Sequence, residues 1–233
     1  MARLKPAPRS THRKTVGSRR WPPEQERLTA ILRGLDCLYP EADCELHRDN
    51  PFQLLCATIL SAQCTDERVN QVTPLLFAQF PTPAAMAMAP PPALEELIHS
   101  TGFFRNKAKN IIGASRAIVE RHGGQVPRTM AELCELPGVA RKTANVVLGT
   151  AFGLAEGIVV DTHVQRLAQR LALTRSSTPE KIEQDLMTII PREWWIQFSH
   201  HVIWHGRRCC FARRPDCEHC PLVPHCPSAF KAA

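Results

Sequence analysis

Four cysteines near the C-terminus constrain this chain more than any other feature. Cys210, Cys217, Cys220 and Cys226 follow the spacing C-x6-C-x2-C-x5-C, within seventeen residues. Thiolates this close in sequence converge on one soft centre, a metal ion or a cluster. A segment braced in that way needs little apolar core of its own. Structural zinc more often uses two short Cys knuckles, and only Cys217 and Cys220 form one here. The spacing alone therefore leaves zinc and iron–sulfur both open. Cys209 adds a second register, because substituting it for Cys210 lengthens the first gap to seven. Five further cysteines lie singly between Cys37 and Cys134. That scatter suits a reducing compartment with a metal site and buried thiols better than a disulfide framework.

Twenty prolines cut the rest of the chain into segments, nearly all with helical periodicity. Leu28, Ile31, Leu32 and Leu35 recur at helical spacing behind Pro22-Pro23, and Pro40 stops the run. Asn50-Pro51, Thr82-Pro83 and Thr178-Pro179 each set a capping residue before a proline at the first helical position. Val164, Leu167 and Leu171 line one face of another helix, and Trp194 to His205 is a further apolar-faced segment closed by Gly206. Alternating patterns are almost absent. Only Ile158-Val159-Val160 has β character, and it is too short to found a sheet. An all-α chain is expected.

The longest uncharged stretch, Val72 to Leu94, holds six prolines and cannot run as a membrane helix. No apolar leader precedes the body, so an intracellular, cytoplasmic protein is expected. With 233 residues there is room for one large domain or two modest ones. The formal charge of +7 is concentrated in residues 1–20, which carry seven basic residues and no acid. The remainder is balanced at 22 basic against 22 acidic residues. Such a tail is either an arm attracted to a polyanion or merely solvated.

The most specific internal string is Leu136-Pro137-Gly138-Val139-Ala140-Arg141-Lys142-Thr143-Ala144. A helix from about Thr129 would reach Leu136-Pro137, turn at Gly138 and re-enter helix near Arg141. Amides at such a helix start can hold a phosphate without reading base sequence. Lys142 then lies in the first helical turn, where the positive end of the helix and neighbouring Arg141 disfavour its ammonium form. Amines activated in this way form Schiff bases with carbonyl carbons. Asp161 can return to the hairpin: a helix from Arg141 to Phe152 is about 18 Å long, and the next eight residues span up to about 26 Å. It can equally cap the helix that follows it.

The string resembles the helix-hairpin-helix motif of the endonuclease III family, and the resemblance runs from about Pro51 to Cys226. Leu60-Ser61-Ala62-Gln63-Cys64-Thr65-Asp66 is similar to that family's LSAQ-x-TD segment, and Val160-Asp161-Thr162-His163 to its VDTH segment. One departure is Ala140, where the family often has a second glycine. The resemblance implies an all-α, two-lobed helix-hairpin-helix DNA glycosylase fold. Residues 44–155 would form a six-helix domain, and residues 21–43 with 156–233 an iron–sulfur cluster domain.

The resemblance also implies a bifunctional DNA glycosylase and abasic-site lyase of base excision repair, with oxidised pyrimidines as the expected lesions. Lys142 would be the nucleophile, and Asp161 would assist deprotonation and stabilise developing positive charge. Gln63 would enter the duplex opposite the lesion, and Gly138, Val139, Ala140 and Arg141 would hold DNA backbone. Phe103 stands at a wedge position, although Phe103 and Phe104 could equally be core aromatics. Cys210, Cys217, Cys220 and Cys226 would bind a [4Fe-4S] cluster, with Arg207, Arg208, Arg213 and Arg214 presenting positive charge to DNA beside it. The implied partner is double-stranded DNA with damaged bases or abasic sites, met by a monomer associated with the nucleoid. Two other readings remain. An adenine-mismatch glycosylase of the same superfamily would lack the hairpin lysine and extend into a further domain, whereas Lys142 is present and seven residues follow Cys226. A non-catalytic DNA-binding module would need neither Lys142 nor Asp161.

Overall fold

The computed structural model describes residues 20–231, so all of the basic segment but Arg20 lies outside the described residues. Among the described residues there are eleven α-helices, three short 3₁₀ helices and no strand. The helices are α1 Gln25–Leu38, α2 Pro51–Leu60, α3 Asp66–Gln79, α4 Pro83–Ala87, α5 Pro91–Ile98, α6 Phe104–His122, α7 Met130–Cys134, α8 Arg141–Phe152, α9 Thr162–Arg170, α10 Pro179–Ile189 and α11 Trp195–Arg208. None is long and apolar enough to cross a membrane.

Local chemistry sets many of the starts. Asn50, Thr65, Thr82 and Thr129 each accept the N–H three residues on with a side-chain oxygen, and Pro51 and Pro83 occupy first-turn positions where no N–H is needed. Helix α6 ends in Gly123, at φ +58°, where the Gly124 N–H reaches back to Ile118 O. Ile158-Val159-Val160 forms no strand; the Val159 N–H goes instead to Ser199 Oγ at 3.1 Å.

The helices surround two cores. Leu54, Leu55 and Leu60 of α2 meet Val69, Leu76, Leu94, Ile98, Ile111, Ile118, Val147 and Leu148 in the first. Leu28, Ile31 and Leu35 of α1 meet Val164, Leu167, Ile182, Leu186, Phe198 and Val202 in the second. Burying each such side chain contributes about 1.5–3 kcal/mol. Helix α1 is thus sequence-remote from the lobe it completes. Buried Arg27 fixes it there, donating to the carbonyls of Leu171 at 2.9 Å and His225 at 3.0 Å.

Helix α11 runs through Gly206 instead of stopping there. A Cβ at Gly206 would lie 3.0 Å from both His163 Cδ2 and Arg166 Nη2, so this glycine serves the crossing of α9 and α11. Arg166 Nη2 donates to Gly206 O at 2.9 Å across the same crossing.

Candidate active site and cysteine cavity

The hairpin joins α7 to α8 and rests on α6. Gly138 has φ +77°, and a Cβ there would meet Asn110 Cβ at 2.7 Å, so both backbone conformation and close packing require glycine. Ala140, by contrast, is extended at φ −94° and accommodates its Cβ without strain. It is the N-cap of α8 and has no side-chain acceptor, so the first-turn amides are left for an external anion. Val139 is buried beneath the turn, while Gly138, Ala140 and Lys142 are exposed.

Arg141 is also exposed, but its guanidinium is committed within the protein. It grips the Glu183 carboxylate of α10 with Nε at 2.9 Å and Nη2 at 3.0 Å. Asn145 adds a bond to Glu183 Oε1 at 2.8 Å. The pairing joins the hairpin helix to the other lobe, and it offsets the positive charge expected beside Lys142.

Asp161 is the N-cap of α9. Its Oδ1 accepts the N–H groups of His163 and Val164, both at 2.8 Å, and its Oδ2 accepts from His163 Nδ1 at 2.8 Å. Burial by itself would raise the carboxyl. The bonds from His163 and Val164 and the charges of His163 and Lys142 outweigh it and hold Asp161 below the usual carboxylate range. Lys142 is therefore within electrostatic reach of Asp161, although no hydrogen bond or ion pair joins them.

Gln63 and Phe103 share an unusual geometry. Both are exposed and both adopt the left-handed backbone region, at φ 54° and 48°. Phe103 is 68% exposed, so it is not a core aromatic. Phe104 instead packs against the first core, its ring 4.4 Å from that of His99. Large non-glycine side chains held in this conformation, pointing into solvent, cost the fold energy and gain it no packing.

The cysteine segment closes a cavity against α9 and α11. Its lining includes Cys209, Cys210, Cys217, Cys220 and Cys226, with Leu167, Leu171 and Leu222 as apolar walls. Burial pushes the Cys220 and Cys226 thiols up, partly opposed by hydrogen bonds at Leu222 and Cys209 for Cys220 and at Ser228 for Cys226. The charges of Cys210 and Cys217 act in the same direction as burial on both. Thiolates crowded here need a cationic centre to hold them, which the residues present fit. Cys209 and Cys210 differ. Cys210 Sγ accepts from Arg170 Nη1 at 3.2 Å. Cys209 donates to Asp216 O at 3.5 Å, and its thiol is pushed up to about 12 by burial and then by Cys220. Cys209 also forms, with His205 and Cys220, a group whose ligand atoms lie within 4.8 Å of one another and could hold a metal ion.

The nearby arginines divide. Arg207 is paired with Glu45 and with Asp66 at 2.7 Å, and Arg208 stacks on Trp204 at 3.6 Å and pairs with Glu45 at 3.7 Å. Two of the four charges expected to face DNA thus tie the end of α11 to the start of α3 and to the segment between α1 and α2. Arg213 and Arg214 remain exposed.

Residues 56–192 match the HhH-GPD superfamily of base excision DNA repair proteins. The endonuclease III of Synechocystis is 59% identical over 206 residues, covering 88% of this chain and 94% of that protein. The chain belongs to the endonuclease III family. Among solved structures, a non-covalent endonuclease III–DNA complex is similar with a TM-score of 0.84 and 43% identity, covering 88% of this chain and 96% of that one. A trapped endonuclease III–DNA covalent intermediate gives 0.83 and 43%, covering 88% and 97%. This endonuclease III family member is accordingly a base excision repair enzyme, a DNA glycosylase and abasic-site lyase.

Two parts of its site escaped the sequence reading. Glu183 has no role in the sequence reading; of the three acids on α10 it alone is buried, between Ile182 and Leu186, and an acid beside that apolar face is a weak signal for a buried partner. His163 stood in a matched motif without a role, yet two residues after an N-cap aspartate is where a side chain can return to that carboxylate.

Proposed function

We propose that this enzyme excises oxidised pyrimidines from duplex DNA through Lys142 and Asp161. The observation that carries the reading is an exposed lysine in the first turn of the hairpin helix, within electrostatic reach of a carboxylate that stays ionised. The Lys142 Nζ lone pair attacks C1′ of an extruded nucleotide, and the C1′–N glycosidic bond breaks with its electrons leaving on the base. Loss of the amine proton and opening of the sugar give an imine. Removal of a C2′ proton then expels the 3′ phosphate by β-elimination. A carboxylate below the usual range is a weak proton acceptor but a constant anion. That supports stabilisation of the positive charge growing at the sugar as the main duty of Asp161.

The open amides of α8 after Gly138, Val139 and Ala140 support a phosphate contact there. For Arg141 the Glu183 pairing favours orienting the hairpin over touching DNA. Exposed, strained Gln63 and Phe103 support insertion into the gap left by the flipped nucleotide. The two cores support a hairpin domain within residues 44–155 and a cluster domain from residues 21–43 and 156–233. Its substrate would place the enzyme at the nucleoid. The test is a panel of duplexes, each with one oxidised pyrimidine. Cleavage 3′ to the lesion with an unsaturated aldehyde end is expected; cleavage confined to adenine mispairs would contradict it.

We further propose that Cys210, Cys217, Cys220 and Cys226 hold a [4Fe-4S] cluster, with Cys209 left as a thiol. The cluster supplies bracing for a segment with little core, and Lys142 and Asp161 lie outside its cavity. Purified protein should contain about four iron atoms per chain. Cys217→Ser should lose iron and lower the melting temperature, while Cys209→Ser should retain it. Stoichiometric zinc in anaerobically prepared protein would overturn the assignment.

A further inference from the structure

Lys107 of α6 is only 4% exposed, an unusual place for an ammonium, and among the described residues it pairs with no carboxylate. Its Nζ donates instead to two backbone carbonyls, Leu60 O at the end of α2 and Thr101 O at the end of the 3₁₀ turn His99–Thr101, each at 2.8 Å. Its own backbone N–H goes to Phe103 O at 3.1 Å. One side chain thus grips two loops that are far apart in sequence. The two carbonyls lie no further apart than the sum of their bonds to one nitrogen. Gln63 follows Leu60 by three residues and Phe103 follows Thr101 by two, and both stand exposed in the left-handed region. A single residue advances the chain by at most about 3.6 Å. The separation of the two projecting side chains is therefore governed close to the Lys107 ammonium.

We propose that Lys107 is a positioning residue that fixes Gln63 and Phe103 at the spacing needed to enter one vacated step of the duplex, so that extrusion of a nucleotide from paired DNA depends on it. The proposal rests on the reading that Gln63 and Phe103 insert. Carbonyl acceptors suit this duty better than a carboxylate would: they hold the loop backbones directly, and charge-assisted bonds are about twice as strong as neutral ones. Side chains that must enter a stack together gain from being set before contact, because ordering them on DNA would cost binding energy.

The test compares two substrates in single-turnover cleavage by the cluster-containing enzyme. One is an abasic site in a fully paired duplex. The other is the same abasic nucleotide bulged from a duplex with nothing opposite, which needs no stack opened and no gap filled. For Lys107→Met the paired rate should fall about ten- to a hundredfold, the scale of losing two charge-assisted bonds to buried carbonyls, while the bulge rate stays within about twofold. The ratio of the two rates is independent of the fraction of protein folded, so partial unfolding cannot imitate the effect. Lys107→Gln, which keeps amide donors on a shorter stem, should recover part of the ratio. Equal losses on both substrates would show a merely structural lysine and overturn the proposal, as would no loss on either. Phe103→Ala and Gln63→Ala separate the premise from the proposal: a ratio unchanged in both sinks the insertion reading itself. A ratio altered in both but not in Lys107→Met leaves insertion standing and refutes the clamp.

Discussion

Asp161→Asn should leave folding and DNA affinity intact while slowing strand cleavage by about 10²–10⁴-fold, the usual cost of losing a catalytic charge or acid–base group. The substitution is selective for chemistry because asparagine caps a helix about as well as aspartate. The amide oxygen can keep the bonds that Oδ1 now accepts from the His163 and Val164 N–H groups. What disappears is the anion held by His163 and facing Lys142. Binding should be unchanged or tighter, since a carboxylate near phosphates repels them. Single-turnover rates and filter binding on one lesion duplex check both halves.

The pH dependence follows from the direction of the shift. The folded-state carboxyl of Asp161 is held below its ordinary value, so its ionised cap stabilises the fold above the usual carboxylate range and is lost only as pH falls through the depressed value. Model aspartate titrates near pH 3.9, so any decline in rate above about pH 5 belongs to another group and should persist in Asp161→Asn. An acid limb near pH 6 that vanishes in the variant would contradict this assignment.

The helical plan was legible because it rests on local rules. Asn50-Pro51 and Thr82-Pro83 announce helix starts within two residues, and Leu28, Ile31 and Leu35 show their buried stripe without reference to anything distant. The hairpin was legible for the same reason, since Gly138 must turn wherever α6 lies. Gly206 misled because its signal is ambiguous: the same residue ends helices and permits close crossings, and only the position of α9 decides which. The partners of Arg141 and Arg207 were hidden as well. Glu183 is 42 residues from Arg141, and Asp66 is 141 residues from Arg207, so no local pattern distinguishes these arginines from ones that face a phosphate. Lys107 was hidden in another way, because its acceptors are backbone carbonyls and leave no trace in residue type.

The central claim is that the Lys142 amine becomes covalently bonded to the damaged nucleotide. An imine between protein and DNA is reduced by borohydride to a permanent amine, so the wild-type enzyme on a lesion duplex should give a crosslinked species on a denaturing gel, and peptide mapping should place the DNA on Lys142. Lys142→Gln keeps most of the side-chain length and the first-turn position on α8, so it should fold and bind the same duplex. Having no nucleophile, it should yield neither crosslink nor strand cleavage. A crosslink undiminished in Lys142→Gln would assign the nucleophile to another amine and contradict the mechanism.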